Sequence, residues 1–235
     1  MEMKHKQKRI SLRLSNQGFT MIELLVAMVV ALLALGAIYS TFLNQQKSYV
    51  VQQETAAMHQ SIRAAMFYMQ REIRMAGCDP TENASAGIVT ADATSINFTE
   101  DVRGDVVGSN SDGVTDDPNE NITYALNANN LVRNTGGGNQ MVAQNIDALD
   151  FVYLDGATPP NVLNDPGTGD VLPANYNQIR SVEITIVART DKVTRTSKNN
   201  NAYFNQRGMQ ILAPQNDNFS RRRLTSWIKC RNLGL

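Results

Sequence analysis

Gly18-Phe19-Thr20-Met21-Ile22-Glu23 runs directly into Leu24-Leu25-Val26-Ala27-Met28-Val29-Val30-Ala31-Leu32-Leu33-Ala34-Leu35-Gly36-Ala37-Ile38-Tyr39-Ser40-Thr41-Phe42-Leu43. No charged residue lies between Leu24 and Leu43. A helix of about 20 such residues, rising 1.5 Å each, spans about 30 Å, the hydrocarbon thickness of a bilayer. Glu23 is the one charge inside the wider apolar block. Lys4, Lys6, Lys8, Arg9 and Arg13 precede it. Basic residues before a span stay in the cytoplasm, so the rest of the chain is expected outside. A secretory signal peptide would be cut after the apolar run, near Gly36 to Ser40, and a plain signal anchor would not be cut. Neither explains why a polar block ending in Gly-Phe-Thr-Met-Ile-Glu abuts the run.

Outward from this segment the helical pattern continues. From Asn44 to Ala76 there is no proline or glycine, and Met58, Ile62, Ala65, Met66, Met69 and Ile73 recur at spacings that draw one stripe on a helix. Arg63, Gln70, Arg71 and Arg74 fall largely off that stripe. Gly77 is a helix stop and Pro80 follows. One helix is therefore expected from about Phe19 to Ala76, on the order of 85 Å long. Its first half is apolar all round and its second half needs a sheet to cover the stripe. Core packing explains the Met-rich stripe better than a partner-binding face. A break would fall near Gly36, where glycine costs a helix about 1 kcal/mol.

After Pro80 the texture changes to short β-like runs between Asn-, Asp- and Gly-rich turns. The candidate strands are 86–90, 95–99, 121–126, 130–133, 146–154, 181–189 and 222–231. The clearest places Val182, Ile184, Ile186 and Ala188 on one face, with Glu183, Thr185, Val187 and Arg189 on a mixed other face. The predicted fold class is α+β: a long N-terminal helix, membrane-spanning in its first half and amphipathic in its second, packed on an antiparallel sheet. The formal net charge is zero, which gives no bulk attraction to nucleic acid. Few aromatics and much Asn suit a secreted, loop-rich β domain rather than a large enzyme core.

Gly18-Phe19-Thr20-Met21-Ile22-Glu23-Leu24 resembles the prepilin cleavage and methylation motif of type IV pilin-like proteins. The resemblance implies that a prepilin peptidase cuts between Gly18 and Phe19 on the cytoplasmic side, then methylates the Phe19 amine. It makes Glu23 the assembly residue, pairing with the first-residue amine of a neighbouring subunit. A carboxylate in a membrane span costs roughly 2.5–3.5 kcal/mol at its centre and less near its edge, so a positive partner is physically required or the side chain must snorkel. The implied organisation is a leader over 1–18, a transmembrane and assembly helix over 19–43, an amphipathic continuation over 44–77 and a periplasmic or extracellular β-rich domain over 78–235.

Further pieces resemble the PilW-like minor pilins. They are Arg71-Glu72-Ile73-Arg74-Met75-Ala76-Gly77-Cys78-Asp79-Pro80 at the helix exit, Asn121-Ile122-Thr123-Tyr124-Ala125-Leu126, Ile146 to Tyr153, Ile179 to Ile184, and a basic closing strand ending Arg231-Asn232. The larger, J-like pseudopilins of type II secretion systems share this plan. The implied partners are the peptidase, other minor and major pilins, the inner-membrane assembly platform and, before assembly, lipid. The implied location is the inner membrane, single-pass with a cytoplasmic N-terminus, and then the pilus surface. No cofactor is implied, and no enzyme activity. A membrane-tethered sugar- or calcium-binding adhesion domain is the reading from another class, and a tethered hydrolase lacks a catalytic constellation.

Other residues admit plainer readings. A Cys78–Cys230 bridge would tie the last strand to the helix exit, worth about 5 kcal/mol at the upper end of the chain-entropy account. Two free thiols are the alternative, and no histidine lies near either in sequence. Asp101, Asp105, Asp112, Asp116, Asp117 and Glu120 suggest a calcium loop. In the EF-hand register set by Asn110, Asp112 and Gly113, however, Gly108 and Asn119 occupy the key acid positions. A solvated turn is favoured. His5 and His59 are the sole histidines, which leaves neither a histidine-rich metal site nor a serine triad. Gly136-Gly137-Gly138 reads as a turn, not a phosphate loop. Arg221-Arg222-Arg223 with Trp227 reads as a charged strand face rather than a nucleic-acid site.

Overall fold

The structure is a computed structural model and describes residues 18–104 and 110–234. The basic leader up to residue 17, and Asp105 and Gly108 of the acidic loop, lie outside the described residues. The chain divides into two compact units, Met1–Tyr49 and Val50–Leu235. One helix, α1, spans Met21–Ile73. Within the first unit its side chains are exposed on every face, from Met21 through Tyr39 to Tyr49. It is the one helix among the described residues long and apolar enough to cross a membrane.

In the second unit the helix buries Met58, Ile62, Ala65, Met66, Met69 and Ile73, the stripe drawn by its spacing. Regular helix stops at Ile73, three residues before the expected Ala76. The next residues wind tighter, with Met75 N–H donating to the Glu72 carbonyl at 2.8 Å. Gly77 then adopts φ +77°, and a Cβ there would meet Leu233 at 2.5 Å, so only glycine fits both backbone and neighbour.

Five strands form an antiparallel meander in the order β1-β2-β3-β4-β5: β1 Ile88–Ala91, β2 Ser95–Thr99, β3 Asn121–Asn127, β4 Asn130–Asn134 and β5 Asn139–Ala143. A second antiparallel sheet has the order β10-β7-β6, from β6 Ile146–Leu154, β7 Ser181–Arg189 and β10 Arg221–Lys229. A short hairpin, β8 Tyr203–Phe204 with β9 Gln210–Leu212, completes the strands. Both sheets and the buried stripe of α1 share one hydrophobic core, with Phe98, Tyr124, Phe151 and Ile184 fully buried. The architecture is α+β.

Strand β7 departs from the expected one-sided pattern. Val182, Ile184, Ile186 and Ala188 are buried, but so are Glu183, Thr185 and Val187 opposite. The segment carrying β8 and β9 supplies the partners for that second face. Arg207 grips Glu183 with Nε at 3.0 Å and Nη2 at 2.7 Å, and Asn205 donates to Asp150 Oδ2 at 3.1 Å. Asn205 also accepts from the N–H groups of Arg207 and Met209, which fixes the hairpin that reaches the sheet.

The expected disulfide is corrected by the structure. Cys78 and Cys230 are both free. Cys230 is packed into the hydrophobic core, while Cys78 is half-buried in the turn after α1. The tail is held to the helix exit without a covalent bond. Asn232 Nδ2 donates to the Met75 carbonyl at 3.2 Å, and Leu233 packs on Gly77.

Candidate functional site

Gly18, Phe19 and Thr20 stand ahead of the first helical turn and are exposed. Among the described residues nothing lies within 4 Å of where a Cβ on Gly18 would sit. The Gly18–Phe19 peptide bond is therefore outside the helical hydrogen-bond ladder, with open space around it. That is the presentation an endopeptidase needs, because a bond inside a helix must first be unwound.

The first turn is locked by its own sequence. Thr20 is the N-cap and Glu23 occupies the third helical position. Thr20 Oγ1 accepts from the Glu23 N–H at 3.3 Å, and Glu23 Oε2 accepts from the Thr20 N–H at 2.8 Å. The Thr20 hydroxyl also donates to Glu23 Oε2 at 2.7 Å. This is a capping box, in which two otherwise unpaired N–H groups are satisfied reciprocally. It fixes the helix start two residues after the Gly18–Phe19 bond and points the carboxylate back toward Phe19. The Thr-x-x-Glu spacing announces it, yet reading Glu23 as an assembly residue alone leaves Thr20 without a role.

The remaining candidates separate from this site. Burial raises the Cys78 thiol, helped by the Glu100, Asp101 and Asp79 carboxylates, and burial pushes Cys230 up to about 12. Both are protonated thiols at neutral pH and neither is an activated nucleophile. In the acidic loop, Asp101 and Glu120 are fully buried and act as local staples. Asp101 Oδ2 accepts from Thr81 Oγ1 at 3.2 Å and Gly113 N–H at 3.1 Å; Glu120 Oε1 accepts from the N–H groups of Val102 and Arg103, each at 2.8 Å. Among the described residues no group of three or more metal-binding side chains converges. Gly136 and Gly138 have φ near +92° and +100° in the turn joining β4 to β5. The arginine run is split by its partners. Arg221 is buried between Asp147 at 2.6 Å and Asp217, while Arg222, Arg223 and Trp227 are exposed.

Residues 13–39 match the family model described as the prokaryotic N-terminal methylation motif. The chain carries a prepilin-type N-terminus. The motif implies processing by prepilin peptidase and assembly with other pilins, and with the apolar helix it implies membrane anchoring. No curated protein matches the chain. Among solved structures it is similar to a type IV-like pilin from Thermus thermophilus, at 11% identity and a TM-score of 0.49, over 75% of this chain and 98% of that one.

Proposed function

We propose that this chain is the precursor of a minor type IV pilin, a structural and priming subunit of pilus assembly. The peptidase cuts between Gly18 and Phe19 and methylates the new amine. Residues 1–18 leave as the leader, 19–43 remain as the membrane and assembly helix, 44–77 continue it, and 78–235 form the domain presented in the periplasm and then on the fibre. The observation that supports this reading most is the unbroken motif from Gly18 to Glu23, whose Gly18–Phe19 bond stands ahead of the helix and which is followed by an apolar span.

The cleavage creates the charge that Glu23 lacks. A new amine at Phe19 is cationic near neutral pH, and methylation keeps its basicity. In a low-dielectric fibre core, pairing with Glu23 of the next subunit offsets the cost of burying both charges and fixes the axial register. Until then, the Thr20 cap satisfies part of the carboxylate.

Mass spectrometry of the protein from membranes tests the reading. The expected product begins with N-methylated Phe19. A product starting beyond the apolar helix, or one retaining the basic leader despite active peptidase, overturns it. Glu23→Ala is expected to be cleaved normally but to enter fibres about tenfold less, equivalent to ~1.4 kcal/mol. Unimpaired incorporation would refute the pairing role.

A further inference from the structure

The end of α1 and the tighter turn after it border an open groove in the second unit. Phe67, Arg71 and Arg74 form one ridge by helical spacing, and Tyr68, Glu72 and Met75 form the next. Arg103 and Glu100 stand on one side and Arg133 on another, around a volume of ≈ 740 Å³. Phe67 and Tyr68 are 63% and 51% exposed, with their rings edge-to-face at 6.2 Å. The side chains of Arg71, Arg74 and Arg103 are exposed and make no hydrogen bond or ion pair among the described residues. Arg133, Arg207 and Arg221 of the same unit are each tied to a carboxylate.

Exposed aromatic, Met and Arg side chains, without lysine, match the composition of protein-interface centres. The floor decides against a phosphodiester backbone. Glu72 and Glu100 lie there, and Glu100 Oε2 is buried without a partner. Glu72 is already paired with Arg133, so a polyanion would press on the unpartnered Glu100, whereas a peptide can place carboxylates on the rim and a donor on the floor. Among the described residues of this unit, the exposed carboxylates do not fit the role. Glu82 and Asp191 stand apart in sequence, and Asp112 and Asp116 belong to the loop that ends at the groove-lining Asn119.

We propose that the groove docks an acidic segment of a different prepilin-type subunit. Its carboxylates meet Arg71, Arg74 and Arg103, a side chain packs on Phe67 and Tyr68, and a hydrogen-bond donor reaches Glu100. The inference rests on the pilin reading and names a partner surface for it.

The test replaces Tyr68 with p-benzoylphenylalanine in the full chain, made in cells that also make its companion subunits. The expected crosslink joins position 68 to a different chain that bears its own Gly-Phe-type methylation motif, at a peptide containing Asp or Glu. The same probe at exposed Met141 of β5 is expected to give no such product. Combining Arg71→Glu, Arg74→Glu and Arg103→Glu is expected to lower the yield about tenfold, as charge repulsion at a polar rim does. Single Arg→Gln variants, with unfolding midpoints matched to the parent, guard against misfolding and are expected to lower it by smaller steps. Crosslinks confined to a second copy of this chain, crosslinks to nucleic acid, or no crosslinks overturn the docking proposal. If Phe19 is methylated in those same cells, the pilin reading survives that failure. Unmethylated Phe19 sinks the reading itself.

Discussion

The stretch of α1 up to Tyr49 and the stretch from Val50 to Ile73 use the same helical repeat for two different surroundings. In the first, large apolar side chains such as Leu33 and Ile38 are exposed on all faces, so nothing within its own unit supplies a hydrophobic contact to bury them. In the second, six side chains disappear into a core shared with two sheets, and Arg and Gln occupy much of the outer face. The first is stable only where lipid or other apolar helices replace water. The second carries its own solvent-excluding partner. A chain built this way can keep its folded unit unchanged while the apolar stretch exchanges one apolar surrounding for another.

The largest expected effect separates the two stretches directly. Phe151 is fully buried at the centre of β6, within the shared core. Phe151→Ala is expected to cost the folded unit about 3–5 kcal/mol, from lost transfer energy and a residual cavity. Val30→Ala, in the exposed apolar stretch, is expected to leave the denaturant midpoint unchanged. Urea unfolding of the full chain in detergent, followed by Trp227 fluorescence, measures both. Similar shifts from the two variants would break the distinction.

A second comparison sharpens the first, using neighbours one residue apart. Arg221 is almost completely buried and joins Asp147 to Asp217, with two 2.5 Å bonds to Asp217, and Asp147 also receives Arg189 at 3.4 Å. Arg222 is exposed on the opposite face of β10. Arg221→Ala removes both bonds to Asp217 and leaves the buried Asp147 with only the longer Arg189 contact, and is expected to cost about 3 kcal/mol. Arg222→Ala is expected to stay within about 0.5 kcal/mol of the parent. The same unfolding assay reads both, and a cost at Arg222 equal to that at Arg221 would contradict the buried network.

How much of this was legible follows from where each signal lies. The α1 stripe is a local periodicity, and every residue it marked is buried. Strands β2, β6 and β7 were marked at their observed bounds because β-branched and aromatic runs sit between turn residues. Strand β5 escaped because Asn139, Gln140 and Met141 are exposed on a sheet edge, directly after three glycines, where neither alternation nor β-propensity signals a strand. Strands β8 and β9 are short and owe their place to Asn205 and Arg207 reaching partners 55 and 24 residues away. The buried outer face of β7 was hidden for the same reason. At the candidate site, the Gly18–Glu23 motif was readable at once, and the Thr20 cap was written in the same six residues. The groove beside Phe67 and Tyr68 was not readable, because Glu100, Arg103 and Arg133 meet the helix only through the fold.

The smallest expected effect concerns that groove. Burial, with Glu72 and Glu120 nearby, pushes the Glu100 carboxyl up to about 7, against the opposing pull of Arg133 and Arg103. The folded chain therefore holds this proton where the unfolded chain, near 4.5, has released it. Between those values the native state binds more protons, so this group's contribution makes stability fall as pH rises through the window. The loss is complete above about 7 and absent below 4.5. Solvent screening at a partly open site limits it to on the order of 1 kcal/mol. Glu100→Gln keeps the shape and cannot ionise. It is expected to match the parent near pH 4.5 and to exceed it at pH 8, measured as the difference between two urea titrations at each pH. A constant difference across the range would mean that Glu100 is not strained by its neighbours. A difference that grows with pH would show that the groove holds an acid in need of a donor, a need that the apolar stretch, with Glu23 capped by Thr20, meets within its own first turn.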